Sequence, residues 1–153
     1  MSTSDIYNYL KVNDRLITAG QPTEEQLQAA AAEGFTGVIN LVPSENQSAL
    51  ANEGAIVQAL GLKYHHIPVD WAAPKDGDFA AFEEALQATA DDKVLIHCAA
   101  NFRVTAFYSL YALKHLGWTA EQAGAFRALI WQDSDYPVWE RFIAKVQAQI
   151  LQK

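Results

Sequence analysis

Val94-Leu-Ile-His-Cys-Ala-Ala-Asn-Phe-Arg-Val-Thr105 is the stretch on which the reading of this chain turns. Three apolar residues without a polar break, Val94 to Ile96, suit a strand buried on both faces. The strand candidate Lys93 to His97 runs directly into Cys98. From Val104 the apolar residues Phe107, Leu110, Tyr111 and Leu113 recur at helical spacing as far as Gly117. The segment therefore reads as strand, short loop, helix, with Cys98 at the strand end and Arg103 at the helix mouth. Backbone N–H groups in such a loop and at the start of such a helix converge on an anion, and the helix dipole adds positive potential. That field favours an anionic sulfur, which makes Cys98 a candidate nucleophile. Arg103 offers a planar two-pronged donor for a tetrahedral oxyanion. Ala99, Ala100, Asn101 and Phe102 lie between them, and of these only Asn101 readily tolerates the positive φ that turning several amides inward requires. Those residue types in that order are what thiol-based phosphoryl transfer needs.

Working outward, Arg15 to Thr18 is a strand candidate closed by the turn Ala19-Gly20-Gln21-Pro22. Thr23 and Gln26 form a capping-box pattern, followed by an Ala-rich helix ending at Gly34. Thr36 to Val42 reads as a buried strand, Ser44 to Leu60 as a helix closed by Gly61, and Leu62 to Val69 as another strand. Asp78 can cap a helix on which Phe79, Phe82 and Leu86 share a face. Thr119 with Gln122 starts a helix reaching Trp131, and Asp135 with Pro137 starts the last one, lined by Trp139, Phe142, Ile143, Val146 and Ile150. This alternation predicts an α/β sheet covered by helices, in a single domain over residues 1–153.

The chain has 153 residues, half of them hydrophobic, with 11 Lys+Arg against 18 Asp+Glu for a formal charge of −7. Such a chain can bury a core without crosslinks. Its one cysteine excludes an internal disulfide and a Cys-rich zinc cage, so a reducing compartment is expected. The first residues, MSTSDIYNYLKVNDR, carry neither a basic n-region nor an apolar core, and no apolar run approaches a membrane span. The expectation is a cytoplasmic protein without a membrane association. Its acidic balance argues against nucleic-acid partners and restricts any anionic ligand to a locally positive pocket. His65 and His66 are adjacent and point to opposite faces of a strand, so only one could join His97; no metal and no cofactor are expected.

His-Cys-(x)n-Arg-x-Thr after a hydrophobic strand resembles the signature loop of the cysteine-dependent protein tyrosine and dual-specificity phosphatases. The likeness extends to LITAGQPTEEQLQAAAAEGFTGVINLV, YHHIPVD and FAAFEEAL, which are similar to the bacterial phosphatase-like domain also found fused to β-lactamase-like sulfur hydrolases, over roughly residues 14 to 117. The resemblance implies a four or five stranded, mainly parallel sheet flanked by helices and a metal-free cysteinyl-phosphate mechanism. It implies Cys98 as nucleophile, Ala99 to Phe102 with Arg103 as the phosphate cradle, and a phosphorylated protein or small phosphomonoester as substrate. It also implies that His97 orders the loop and tunes the thiolate, and that the Thr105 hydroxyl assists thiolate departure. The general acid it implies is an Asp from the loop after the preceding strand. Asp70 lies 28 residues before Cys98, with Asp76 and Asp78 as competitors on the same loop.

This chain departs from the family pattern in two ways. Only four residues separate Cys98 from Arg103, where the family usually has five, and the loop has no glycine. The rhodanese loop has the shorter spacing, so a sulfurtransferase carrying a persulfide on Cys98 is an alternative, as is a non-catalytic phosphate-binding module. Plainer readings also stand beside these. Cys98 can be a small buried hydrophobe, Arg103 a surface ion pair, and Thr105 a hydroxyl bonded back to its own helix. Trp71 and Phe102 can wall a cleft or pack in the core.

Overall fold

Five strands and six helices follow one another along residues 2–152, which the computed structural model describes. In chain order they are β1 (Leu10–Asn13), β2 (Leu16–Ala19), α1 (Glu24–Ala32), β3 (Gly37–Asn40), α2 (Glu53–Ala59), β4 (Lys63–His66), α3 (Asp76–Ala88), β5 (Val94–His97), α4 (Phe102–His115), α5 (Ala120–Ala128) and α6 (Pro137–Leu151). The strands form one sheet in the order β1-β2-β5-β3-β4, parallel except for β1, which pairs antiparallel with β2 through a bulge between Lys11 and Asn13. This mainly parallel α/β architecture agrees with the four or five stranded sheet that the resemblance implied.

Alternation along the strands sends side chains into two cores. Val38 and Leu95 pack with Leu27, Ala30 and Val57, beneath α1 and α2. Ile39, Val94 and Ile96 face the other way, against Phe82, Phe107, Leu110, Trp139 and Phe142 of α3, α4 and α6. The neighbours β2 and β5 are thus followed by helices on opposite faces, which opens a crevice beyond their C-terminal ends. In register, Ala19 of β2 and Asn40 of β3 flank His97 on either side. Cys98 lies one residue beyond.

Several boundaries differ from expectation. The helix read over Ser44 to Leu60 shrinks to α2, because Asn52 adopts a left-handed φ of 61°. Ahead of it the Ser/Asn-rich stretch bonds its own backbone, Ser48 N–H donating to Asn46 Oδ1 at 2.8 Å. Strand β1 alternates apolar Leu10 and Val12, half-buried, with exposed Lys11 and Asn13, and is an addition to the elements expected from sequence. β4 stops at His66, two residues before Pro68, though Ile67 and Val69 still donate to Asn40 and Leu41 carbonyls at 2.9 and 3.0 Å. α3 begins at Asp76 rather than after Asp78, and α5 ends at Ala128, short of Trp131. Among the described residues no helix is long and apolar enough to cross a membrane.

Candidate active site

The loop after β5 is shaped by what its carbonyls meet. Ala99 O accepts from Gln21 N at 3.0 Å, Ala100 O from Asn8 Nδ2 at 2.9 Å, and Asn101 O from Thr105 N at 3.2 Å. A trans peptide points C=O and N–H in opposite directions, so the amides of Ala100 and Phe102 face away from these partners. Neither meets an acceptor among the described residues, and nor do the amides of Ala99 and Arg103. The result is a run of free donors at the start of α4, with the Cys98 residue buried at its base.

The loop manages without glycine because Asn101 takes the left-handed conformation itself, at φ 68°. Its Nδ2 donates to Asn8 O at 2.9 Å and Thr18 Oγ1 at 3.0 Å, so the side chain also ties the loop to the N-terminal segment and β2. The glycine that matters stands opposite. A Cβ on Gly20 would sit 2.6 Å from Ala99 O and 2.9 Å from Tyr7 O, closer than carbon and oxygen approach.

Arg103 is buried and enters from α4, its Nη1 donating to Val69 O at 2.8 Å with the guanidinium carbon 5.8 Å from the Trp71 ring centre. No carboxylate pairs with it, and its Nε and Nη2 make no bond to protein among the described residues, leaving one two-pronged edge for an oxyanion. Asp70 follows Val69, so that bond anchors Arg103 beside the base of the Asp70 turn. The exposed Asp70 carboxylate accepts from Ala72 N at 2.9 Å. Its two competitors are engaged elsewhere: Asp76 pairs with Lys145 at 2.9 Å, and Asp78, third residue of α3, accepts from Lys75 N at 3.0 Å. The Thr105 hydroxyl donates to Asn101 O at 2.8 Å and receives Trp131 Nε1–H at 2.9 Å, so its proton is directed at its own helix rather than at sulfur.

Behind the loop, fully buried His97 places Nδ1 3.2 Å from Cys98 O and Nε2 2.6 Å from Glu53 Oε2. Gln21 Nε2 donates to the other Glu53 oxygen at 2.8 Å. Burial pushes the Glu53 carboxyl up, but the bonds from His97 and Gln21 and the nearby His66 together hold it below the usual carboxylate range. Sequence reading missed Glu53, Asn8 and Gly20 as site residues. The one signal for Glu53 is Asn52, a residue apt to break the helix just ahead of it. His66 bonds Val42 O at 2.6 Å and so does not join His97; among the described residues no three His, Cys, Asp or Glu side chains cluster as metal ligands.

An aromatic wall completes the site. Phe102 stacks on Trp131 at 4.7 Å and 9°, and Trp71 meets Tyr136 edge-on at 5.3 Å and Trp139 at 5.3 Å. Trp131 and Trp139 are buried, whereas Tyr136 is exposed. Trp71 and Phe102 are half-buried and do both jobs, packing on the core and bordering the loop.

Residues 8–114 match the family described as "Beta-lactamase hydrolase-like protein, phosphatase-like domain". The chain belongs to that family. The beta-lactamase hydrolase-like protein of Xylella fastidiosa is 33% identical over 102 residues, covering 65% of this chain and 23% of that protein. The chain thus spans about a quarter of the length of such relatives. Among solved structures, a DUF442 protein from Shewanella putrefaciens CN-32 superposes with a TM-score of 0.87 at 32% identity, covering 95% of this chain and 92% of that one. P. aeruginosa TpbA, solved in complex with pTyr, shares the fold with a TM-score of 0.73 at 14% identity, over 100% and 94% of the chains. The architecture is that of the cysteine-based phosphatases.

Proposed function

We propose that this domain hydrolyses phosphomonoesters at Cys98, aryl esters such as phosphotyrosine ahead of alkyl ones. The observation that carries this is the make-up of the loop: buried Cys98, the free amides that follow it to the start of α4, and the unbonded Nε–Nη2 edge of Arg103 in the first turn of that helix. The Cys98 sulfur attacks phosphorus in line and forms the S–P bond as the ester P–O bond breaks. Asp70 gives its proton to the leaving oxygen. Asp70 then takes a proton from a water molecule that attacks phosphorus; the S–P bond breaks, and the sulfur leaves as thiolate with release of inorganic phosphate. Loop amides and Arg103 stabilise the equatorial oxygens throughout. The chemistry uses no metal or cofactor and needs a reduced Cys98, which suits a cytoplasmic setting. The preference for aryl esters draws on Trp71, Phe102 and Tyr136, which offer a leaving ring an apolar wall. It also draws on TpbA, whose structure is described as a complex with pTyr.

The test is release of p-nitrophenol from its phosphate ester. The wild-type chain should turn over, Cys98→Ser should fall to background, and Arg103→Lys should lose at least about a hundredfold in kcat/KM, because a point charge cannot replace the fork. Absence of wild-type activity, or its survival in Cys98→Ser, overturns the reading.

Two observations favour a second reading. The four-residue loop is shorter than phosphatases usually carry, and Thr105 gives its proton to a carbonyl. Both suit a persulfide carrier. Transfer of sulfur from thiosulfate to cyanide, lost in Cys98→Ser, would establish it; oxyanion binding without turnover of either kind would instead mark a binding module.

A further inference from the structure

We infer that Glu53 is a positioning residue for Cys98, acting through His97, whose ring it holds in a doubly donating, cationic state directly behind the loop. The inference rests on the reading of Cys98 as the nucleophile. It starts from the partners of the ring. Nδ1 lies 3.2 Å from the Cys98 carbonyl, which can only accept. Nε2 lies 2.6 Å from Glu53 Oε2, and the second carboxylate oxygen already accepts from Gln21 at 2.8 Å. With acceptors on both sides, each nitrogen carries a hydrogen, assigned here from the hydrogen-bond network. His97 is fully buried and Glu53 is 4% exposed, so the two form an ion pair sealed from water.

Glu53 has no lysine or arginine partner among the described residues. The titratable groups that face the pair are His66 and Tyr64 from β4, and Cys98 from the loop. His66 bonds the Val42 carbonyl and Tyr64 accepts from Asn40 Nδ2, so both lie outside the Glu53–His97 bond. Among the described residues only His97 sets a possible positive charge against the carboxylate by direct contact. Because the ring also holds the carbonyl of Cys98 itself, two effects converge on one residue. The peptide leaving the cysteine is fixed in orientation, and a positive ring bonded to that peptide adds a field that favours an anionic sulfur. The three residues arrive from the β2–α1 turn, the start of α2 and the end of β5, so the relay also sets those elements against one another.

The test follows the ultraviolet absorbance of the Cys98 thiolate against pH, taken as the difference from Cys98→Ser; with one cysteine in the chain the signal has a single source. Glu53→Gln keeps the shape and removes the charge. The thiolate midpoint should rise by about one pH unit, a roughly tenfold loss of thiolate at a fixed pH below it. In His97→Asn the further change Glu53→Gln should move it no more. Gln21→Ala, which frees one carboxylate oxygen but keeps the charge, should give a smaller rise, and it decides the matter if Glu53→Gln fails to fold. An unchanged midpoint in either folded variant overturns the inference. The measurement needs no substrate. A shifted midpoint without phosphatase activity would remove the proposed function and leave this role standing, whereas activity with an unshifted midpoint would do the reverse.

Discussion

Asn101 does at one position what a glycine does in most tight loops, and it adds two side-chain bonds that glycine cannot make. The two contributions are separable. Asn101→Gly keeps the left-handed backbone and loses the tether to Asn8 and Thr18; Asn101→Ala loses both and adds about 1 kcal/mol of backbone strain. In phosphate binding measured by calorimetry, the glycine variant should retain more affinity than the alanine one, and equal losses would show that the backbone conformation is not limiting. This residue was legible from sequence, since no other member of the loop tolerates positive φ. Asn8 and Glu53 were not. Their partners stand 92 and 44 residues away, at Ala100 and His97, and local chemistry says nothing about that pairing. Thr105 marks a different limit: both of its possible roles use the same hydroxyl, and only the position of the Asn101 carbonyl separates them.

At the scale of elements, the connection between α5 and α6 reaches the site through the aromatic wall and through the Trp131 Nε1–H bond to Thr105. Trp131 and Tyr136 lie beyond residue 114, where the family match ends, yet they meet Phe102 of the loop at 4.7 and 5.9 Å. Exposed Tyr136 can be cut back at little cost to the fold. Tyr136→Ala should lower kcat/KM for p-nitrophenyl phosphate and phosphotyrosine by about fivefold to tenfold, the loss of one aromatic contact of ~1 kcal/mol, while leaving turnover of an alkyl phosphate unchanged. Equal effects on both substrates would assign the wall to packing alone. Strand and helix identities were largely readable here because β5 is an unbroken apolar run and α4 and α6 repeat their apolar residues at helical spacing. The segment from Ser44 to Asn52 was not, because a helix-like spacing of Ala and Leu competed with Ser and Asn side chains that fold back on their own backbone.

For the molecule as a whole, acid should act through a small set of carboxylates. Contacts with His97, Lys63 and the Lys114–His115 pair hold Glu53, Asp92 and Glu83 respectively below their ordinary values. A carboxyl depressed in the folded state stabilises it above the unfolded-state value, and that stability is lost as the pH falls through the folded value, because the unfolded chain then binds more protons. Denaturant midpoints should therefore fall from about pH 4.5 downward, with Glu53→Gln showing a shallower fall than wild type. An equal fall would mean that the buried pair contributes nothing to acid sensitivity. The family likeness implied a mainly parallel sheet but not the order of its strands, since parallel neighbours far apart in sequence leave no local trace. That order also decides what the sheet shows to other chains. Its outer strands are β1 and β4, each four residues long, the first bulged and the second followed by Pro68 and bearing exposed Lys63. Neither rim offers the long flat ladder that a foreign strand needs, so the architecture is poorly suited to growing by strand addition into larger β-aggregates.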